Sequence, residues 1–145
     1  MRTNYKIIEG SKHIDIRGQL VFANEFDTSV FQRCYHITHD KISVIRAWQG
    51  HQVENKAFWV TKGSFLFQWI AIDDFKNPNK NLKVETIVLN FSAPQILILP
   101  GGFANGFQAL ETDSSVMVFS NMSVENSKQD DYRWDNNYFI NAHWK

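Results

Sequence analysis

A period of two most restricts what this chain can fold into. Apolar and polar residues alternate in short blocks, and nowhere do apolar positions recur at helical spacing over more than a couple of turns. The alternation predicts strands over 19–23, 33–39, 43–48, 57–61, 64–73, 83–91, 95–99, 106–110 and 115–122. Several, such as Phe65-Leu66-Phe67-Gln68-Trp69-Ile70, are apolar on both faces, as a strand is when its own sheet and a further layer both cover it. So many short strands imply an all-β sandwich or barrel with an interior large enough for a ligand. Lys62-Gly63 lies between two apolar runs at hairpin spacing, and residues 75–81, with Pro78, form a polar reversal. Residues 100–107 carry three glycines together with Phe103 and Phe107, which predicts a loop tucked inside. From Ser123 a polar turn or short helix is expected. An extended arm bearing Tyr132, Trp134, Tyr138, Phe139 and Trp144 should follow and pack on the barrel or on a partner.

Length and charge narrow the function. At 145 residues the chain reads as one domain, 1–145. Fifteen basic against fifteen acidic residues leave no electrostatic footprint for nucleic acid or an anionic membrane. Cys34 alone forbids an intrachain disulfide, and no long apolar run or basic leader segment is evident, so a soluble cytoplasmic protein is expected. The unusual quantity is the aromatic share, 14%, to be divided between core and ligand.

Three polar clusters interrupt the apolar pattern: Asp15-Ile16-Arg17-Gly18, Arg46-Ala47-Trp48-Gln49-Gly50-His51 with nearby Glu54, Asn55 and Lys56, and the 100–107 stretch with Asn105. On a regular strand Gln49 and His51 share one face while Arg46 and Trp48 share the other, unless a bend intervenes. Each cluster also has a plainer reading. A single histidine at a strand end is commonly structural, Arg46 and Lys56 taken singly are commonly solvated, and Asp15 to Gly18 has turn composition.

Together the clusters resemble the two motifs of the cupin barrel, a jelly-roll β-helix. Where metal-binding cupins carry His-x-His and a later His, this chain has Gln49-x-His51 and Asn105, and amides are poor ligands for divalent transition metals. It is more similar to the metal-free cupins that act on nucleotide sugars, the dTDP-4-dehydrorhamnose 3,5-epimerase family and the dTDP-4-oxo-6-deoxyglucose 3,4-ketoisomerases. Asp15-x-Arg17-Gly18 is similar to the epimerases' Asp-x-Arg-Gly, and Arg46-Ala47-Trp48-Gln49 lies where they have Arg-Gly-Leu-His. Leu99-Pro100-Gly101-Gly102-Phe103-Ala104-Asn105-Gly106-Phe107 resembles their Ile-Pro-x-Gly-Phe-Ala-His-Gly-Phe. Gln49 stands at the epimerases' base, whereas His51 aligns with the second His of the ketoisomerases' Arg-Gly-Phe-His-x-His. No tyrosine between Val116 and Val124 supplies the family's acid, which leaves Tyr132 and Tyr138 as hydroxyls to test.

The resemblance implies a metal-independent isomerase without a cofactor, acting beside the ketone of a dTDP-4-keto-6-deoxyhexose. In that scheme His51 abstracts the proton and Lys56 stabilises the enolate. Arg17 and Arg46 hold the diphosphate, Gln49 and Asn105 orient sugar hydroxyls, and Trp48 and Phe107 stack on the substrate. The expectation leans to epimerisation, with 3,4-ketoisomerisation or a non-catalytic sugar-binding cupin as alternatives. The family's homodimers imply a homodimer here.

Overall fold

The computed structural model describes residues 3–145. Its elements are Lys6–Glu9 (β1), Ser11–Asp15 (β2), Gly18–Phe22 (β3), Arg33–His39 (β4), Ile45–His51 (β5), Lys56–Lys62 (β6), Ser64–Ala71 (β7), Glu85–Asn90 (β8), Gln95–Leu99 (β9), Phe103–Ala109 (β10), Ser114–Ser120 (β11), Val124–Lys128 (α1) and Tyr132–Arg133 (β12). Among the described residues two five-stranded sheets form, ordered β1-β9-β6-β11-β4 and β12-β5-β10-β7-β8, with β2 and β3 paired separately.

The winding follows from the pairings. β4 lies antiparallel to β11, β5 to β10, β6 to β9 and β7 to β8. The segment β4–β7 and the segment β8–β11 are thus the two arms of one long hairpin, folded at the polar 72–84 connection. Successive strands of each arm pass alternately to one sheet and the other. This is the jelly-roll course of a cupin, and it removes all but the short outer edges. The reversal at Lys62-Gly63 is present, with Gly63 at φ +69° where a Cβ would collide with Ser114. It does not close a hairpin, however: β6 and β7 leave it for different sheets.

The interior is the larger core, built from inward residues such as Phe58, Phe65, Phe67, Trp69, Phe107 and Val118. Phe58 and Phe67 lie 5.1 Å apart, and Phe67 stacks on Phe107 at 5.0 Å. A second core lies on the outside of the β5-β10-β7 sheet, where Trp48, Ile70, Ile72 and Ala104 are covered by Phe139, Trp144 and Trp134 of the C-terminal arm. Two glutamines fasten that arm as a neighbouring strand would. Gln68 exchanges hydrogen bonds with the His143 backbone (2.8 and 3.2 Å), and Gln108 does so with Lys145 (2.8 Å for each bond). The arm therefore packs on its own barrel.

The predicted 100–107 loop is shorter than expected. Only Gly101 and Gly102 turn, and β10 begins at Phe103, because the alternation of Phe103, Asn105 and Phe107 already suits a strand lying between β5 and β7. Both phenylalanines are buried, as expected. β1, β2 and β12 were not anticipated. No helix among the described residues is long and apolar enough to cross a membrane.

Candidate active site

One irregularity in β5 assembles the site. Gln49 pairs with Asn105 and Arg46 pairs with Phe107, so Ala47 and Trp48 together oppose the single residue Gly106. This bulge resets the alternation: Arg46 joins Gln49 and His51 on the inner face and Trp48 is left on the outer one. Gly106 is required there, since a Cβ would stand 2.5 Å from the Ala47 methyl and 3.0 Å from Trp144.

Inside, the bulge borders a cavity of about 440 Å³. Arg46, Gln49 and Arg133 line it from one sheet, and Tyr35, Ile37, Lys56, Phe58 and Val118 from the other. Asn105 and Phe107 complete its floor. The lining includes three cationic side chains and no carboxylate, although Arg133 donates to Asp131 at 3.1 Å. A concave, partly apolar chamber lined with cations suits an anionic ligand of small-molecule size.

His51 lies behind this chamber. It does not line the large cavity but faces a void of about 10 Å³ shared with Lys56, Phe103 and Asn105, room for roughly one water. Its Nδ1 donates to the Asp130 carbonyl at 2.6 Å and stands 3.0 Å from Glu54 Oε2. A carbonyl can only accept, so Nδ1 carries the proton and Nε2, buried and without a partner, presents its lone pair. Burial pushes the imidazole pKa below its ordinary value, with the Lys56 charge adding to the effect, while Glu54 and Asp130 oppose it. Glu54 is itself enclosed, accepting from Ser120 (2.5 Å), Ser127 (2.9 Å) and Arg33 (3.3 Å). A proton arriving at Nε2 would therefore meet a carboxylate ready to stabilise the imidazolium.

Lys56 Nζ donates to Gln49 Oε1 at 3.1 Å, and Gln49 Nε2 donates to Asp131 at 3.0 Å. Both ends of the amide are thus engaged. Burial lowers the Lys56 pKa to about 8, against the pull of Glu54. Tyr35, inward on β4, has its phenol pushed up to about 12 by burial and by Glu54, and it stays protonated near neutrality. Lys56 Nζ sits 5.9 Å from its ring centroid.

The structure brings Arg46, Gln49, Lys56, Asn105 and Phe107 to one chamber, with His51 behind Lys56 and Asn105. Trp48 is placed differently from the expectation of a stacking residue. It borders the cavity, but its ring is held against Phe139 and Trp144 (5.4 Å each), and its indole N–H donates to the Asn136 carbonyl. Arg17 occupies the tip of the β2–β3 hairpin, exposed and paired with Asp15, away from the cavity of its own chain. Tyr138 donates to the Pro78 carbonyl at 2.8 Å and Tyr132 packs on Phe75, so neither lines the chamber. The phenol that does is Tyr35. Its signal in the sequence was an inward position on a strand that was predicted, outside the C-terminal half where the acid was sought. Among the described residues no group of three His, Cys, Asp or Glu is arranged to hold a metal ion.

Fold and chamber together define an RmlC-like cupin. More particularly, the chain belongs to the family described as FdtA: WxcM-like, C-terminal, whose model matches residues 3–144. No curated protein matches it. Among solved structures, the rmlC epimerase of Mycobacterium tuberculosis superposes with a TM-score of 0.77 at 16% identity, over 97% of this chain and 74% of that one. A 3,4-ketoisomerase from Helicobacter canadensis gives 0.69 at 18% identity, over 96% and 97%. A mutant ketoisomerase from Thermoanaerobacterium thermosaccharolyticum, in complex with TDP-4-keto-6-deoxyglucose, gives 0.69 at 18%, over 97% and 94%. At these identities the likeness speaks for the fold.

Proposed function

We propose that this protein is a metal-independent isomerase that moves a proton beside the ketone of a nucleoside-diphosphate 4-keto-6-deoxyhexose, converting it to the 3-keto isomer. The observation that carries the proposal is His51: one imidazole with Nδ1 fixed by Asp130, carboxylate-backed by Glu54, and with Nε2 unpartnered beside Lys56. The ligand class is supported by the cation-lined chamber and by the nucleotide sugar bound to the Thermoanaerobacterium protein.

The substrate displaces Lys56 from Gln49 and passes Asn105, bringing C3 to Nε2. His51 removes the C3 proton, and the electron pair moves into the C4 carbonyl, where the Lys56 ammonium and the Tyr35 hydroxyl stabilise the developing oxyanion. The O3 proton passes to O4, the proton on Nε2 returns to C4, and C3 becomes the ketone. Arg46 holds the diphosphate, Gln49 and Asn105 position hydroxyls, and Phe107 floors the sugar subsite.

One base serving one face of the enolate favours isomerisation over the epimerisation expected earlier. Epimerisation needs an acid on the opposite face, and the phenol that lines the chamber from the other sheet, Tyr35, is here committed to the oxyanion at O4. The test is incubation with dTDP-4-keto-6-deoxyglucose in heavy water, read by NMR. A 3-keto product is expected, carrying deuterium at C4 to the extent that the proton on Nε2 exchanges with solvent before its return. Deuterium at C3 and C5 of a 4-keto product would establish epimerisation, and the absence of both exchange and a 3-keto product would leave a sugar-binding cupin.

A homodimer belongs to the same proposal. Ile14, Ile16 and Leu20 are exposed on the β2–β3 hairpin around Arg17, an apolar patch that a second copy would cover while Arg17 reached the nucleotide. Sedimentation showing only a monomer would remove both roles.

A further inference from the structure

The second buried imidazole, His39 at the end of β4, has no part in the chemistry above, yet it touches one of the chamber's two arginines. Arg46 Nε donates to His39 Nε2 at 3.0 Å. A guanidinium N–H cannot accept, so His39 Nε2 is unprotonated and the ring's proton sits on Nδ1. That Nδ1 is buried and has no partner. The ring is 2% exposed, stacked on Phe107 at 5.6 Å and set edge-on to Phe65 at 5.3 Å. A phenylalanine would fill such an aromatic niche without leaving a buried donor unsatisfied, which is a destabilising feature. What histidine adds is an acceptor aimed at Arg46.

We infer that His39 is a positioning residue. Its neutral imidazole holds the Nε edge of Arg46 so that the two terminal nitrogens remain free and preoriented for the oxygens of a diphosphate. The geometry suits this purpose, because Phe107 fixes the His39 ring from the chamber side while Arg46 itself lines the chamber. A guanidinium pinned on one edge loses less side-chain freedom when an anion arrives, and binding gains accordingly. Protonating His39 would turn the acceptor into a donor and set two cations together, so the neutral form is the one that works. Burial and Arg46 both lower the His39 pKa, with Asp40 opposing.

The inference rests on the proposed nucleotide ligand, and the experiment separates the two. Calorimetric titration with dTDP compares the unsubstituted protein with His39→Phe and His39→Gln, and nitrogen-15 NMR of the unliganded protein reads the His39 tautomer. His39→Phe is expected to weaken dTDP binding roughly tenfold while its unfolding midpoint stays level or rises. His39→Gln, which keeps an acceptor, should restore most of the affinity. NMR should show a proton on Nδ1 and none on Nε2. Equal dTDP affinity in His39→Phe, or a proton found on Nε2, overturns the positioning role. Should the unsubstituted protein fail to bind dTDP, the nucleotide reading falls and the NMR result alone decides whether His39 holds Arg46.

Discussion

The β12-β5-β10-β7-β8 sheet is aromatic on both faces, and the two faces have opposite fates. Outward, Trp48, Ile70, Ile72 and Ala104 are sealed by the C-terminal arm, with Trp144 lying over Gly106. Inward, Phe65, Phe67 and Phe107 pack one part of the barrel and then stop, leaving a chamber edged by Arg46, Gln49 and Asn105. Strands β5 and β10 contribute to both. A face closed by an arm gives stability and offers nothing to a ligand, whereas a face that meets a second sheet across a barrel can be left unfilled at one end. The rigidity needed to hold the charged groups of the inner face comes in part from the outer one.

That division can be broken in several ways. Trp48→Ala should destabilise the fold by about 3–5 kcal/mol, seen as a fall in the chemical denaturation midpoint, while the folded fraction still binds dTDP. His51→Asn should do the reverse: solvent-deuterium exchange into substrate falls by ~10³-fold, about 4 kcal/mol of transition-state stabilisation, with the denaturation midpoint nearly unchanged. A midpoint that dropped as far as that of Trp48→Ala would make His51 a structural residue. Gly106→Ala strikes the shared strand from outside and should lose about 1–3 kcal/mol of stability. It should also raise KM, because displacing Ala47 shifts Arg46. The smallest effect is in the pH profile. His51 must be neutral, so activity falls as acid carries it below its lowered pKa, somewhere under 6.5. Lys56 must be charged, so activity also falls as pH rises through about 8, by roughly tenfold per unit beyond each limb. Lys56→Met should be slower throughout and lack the alkaline limb; an alkaline limb that persisted would assign it to another group.

How far these faces could be read in advance depended on how regular each strand is. β4 and β9 were placed to the residue, because Tyr35, Ile37 and His39, or Ile96, Leu97 and Leu99, carry an unbroken pattern between clear turns. β1 and β2 escaped notice because their residues are mostly exposed and β2, Ser11-Lys12-His13-Ile14-Asp15, pairs only with β3. β12 is two residues long and exists through its pairing with Gly50 and Gln49. The components of the site were legible as residue types, and their grouping was not. Strict alternation sets Arg46 against Gln49, and only a bulge opposite Gly106, fixed by tertiary packing, turns them to one side. The same bulge leaves Trp48 outside. Tyr35 went unnoticed because its role depends on β4 lying one strand beyond β6 in the same sheet, across β11, a relation with no local trace.

Asp130 performs two duties with different atoms. Its carboxylate accepts the backbone N–H groups of Gln52, Val53 and Glu54 at 2.7, 3.0 and 2.8 Å, closing the turn that carries Glu54 to His51. Its peptide carbonyl, not its side chain, takes the His51 Nδ1 proton. The acceptor that sets the tautomer is therefore one that no codon change can delete. Substituting Asp130 would loosen the turn and let the carbonyl drift, degrading the imidazole's orientation by degrees. A saturation library at this position should yield a graded series of partly active proteins, whereas the same library at His51 should divide into active and inactive.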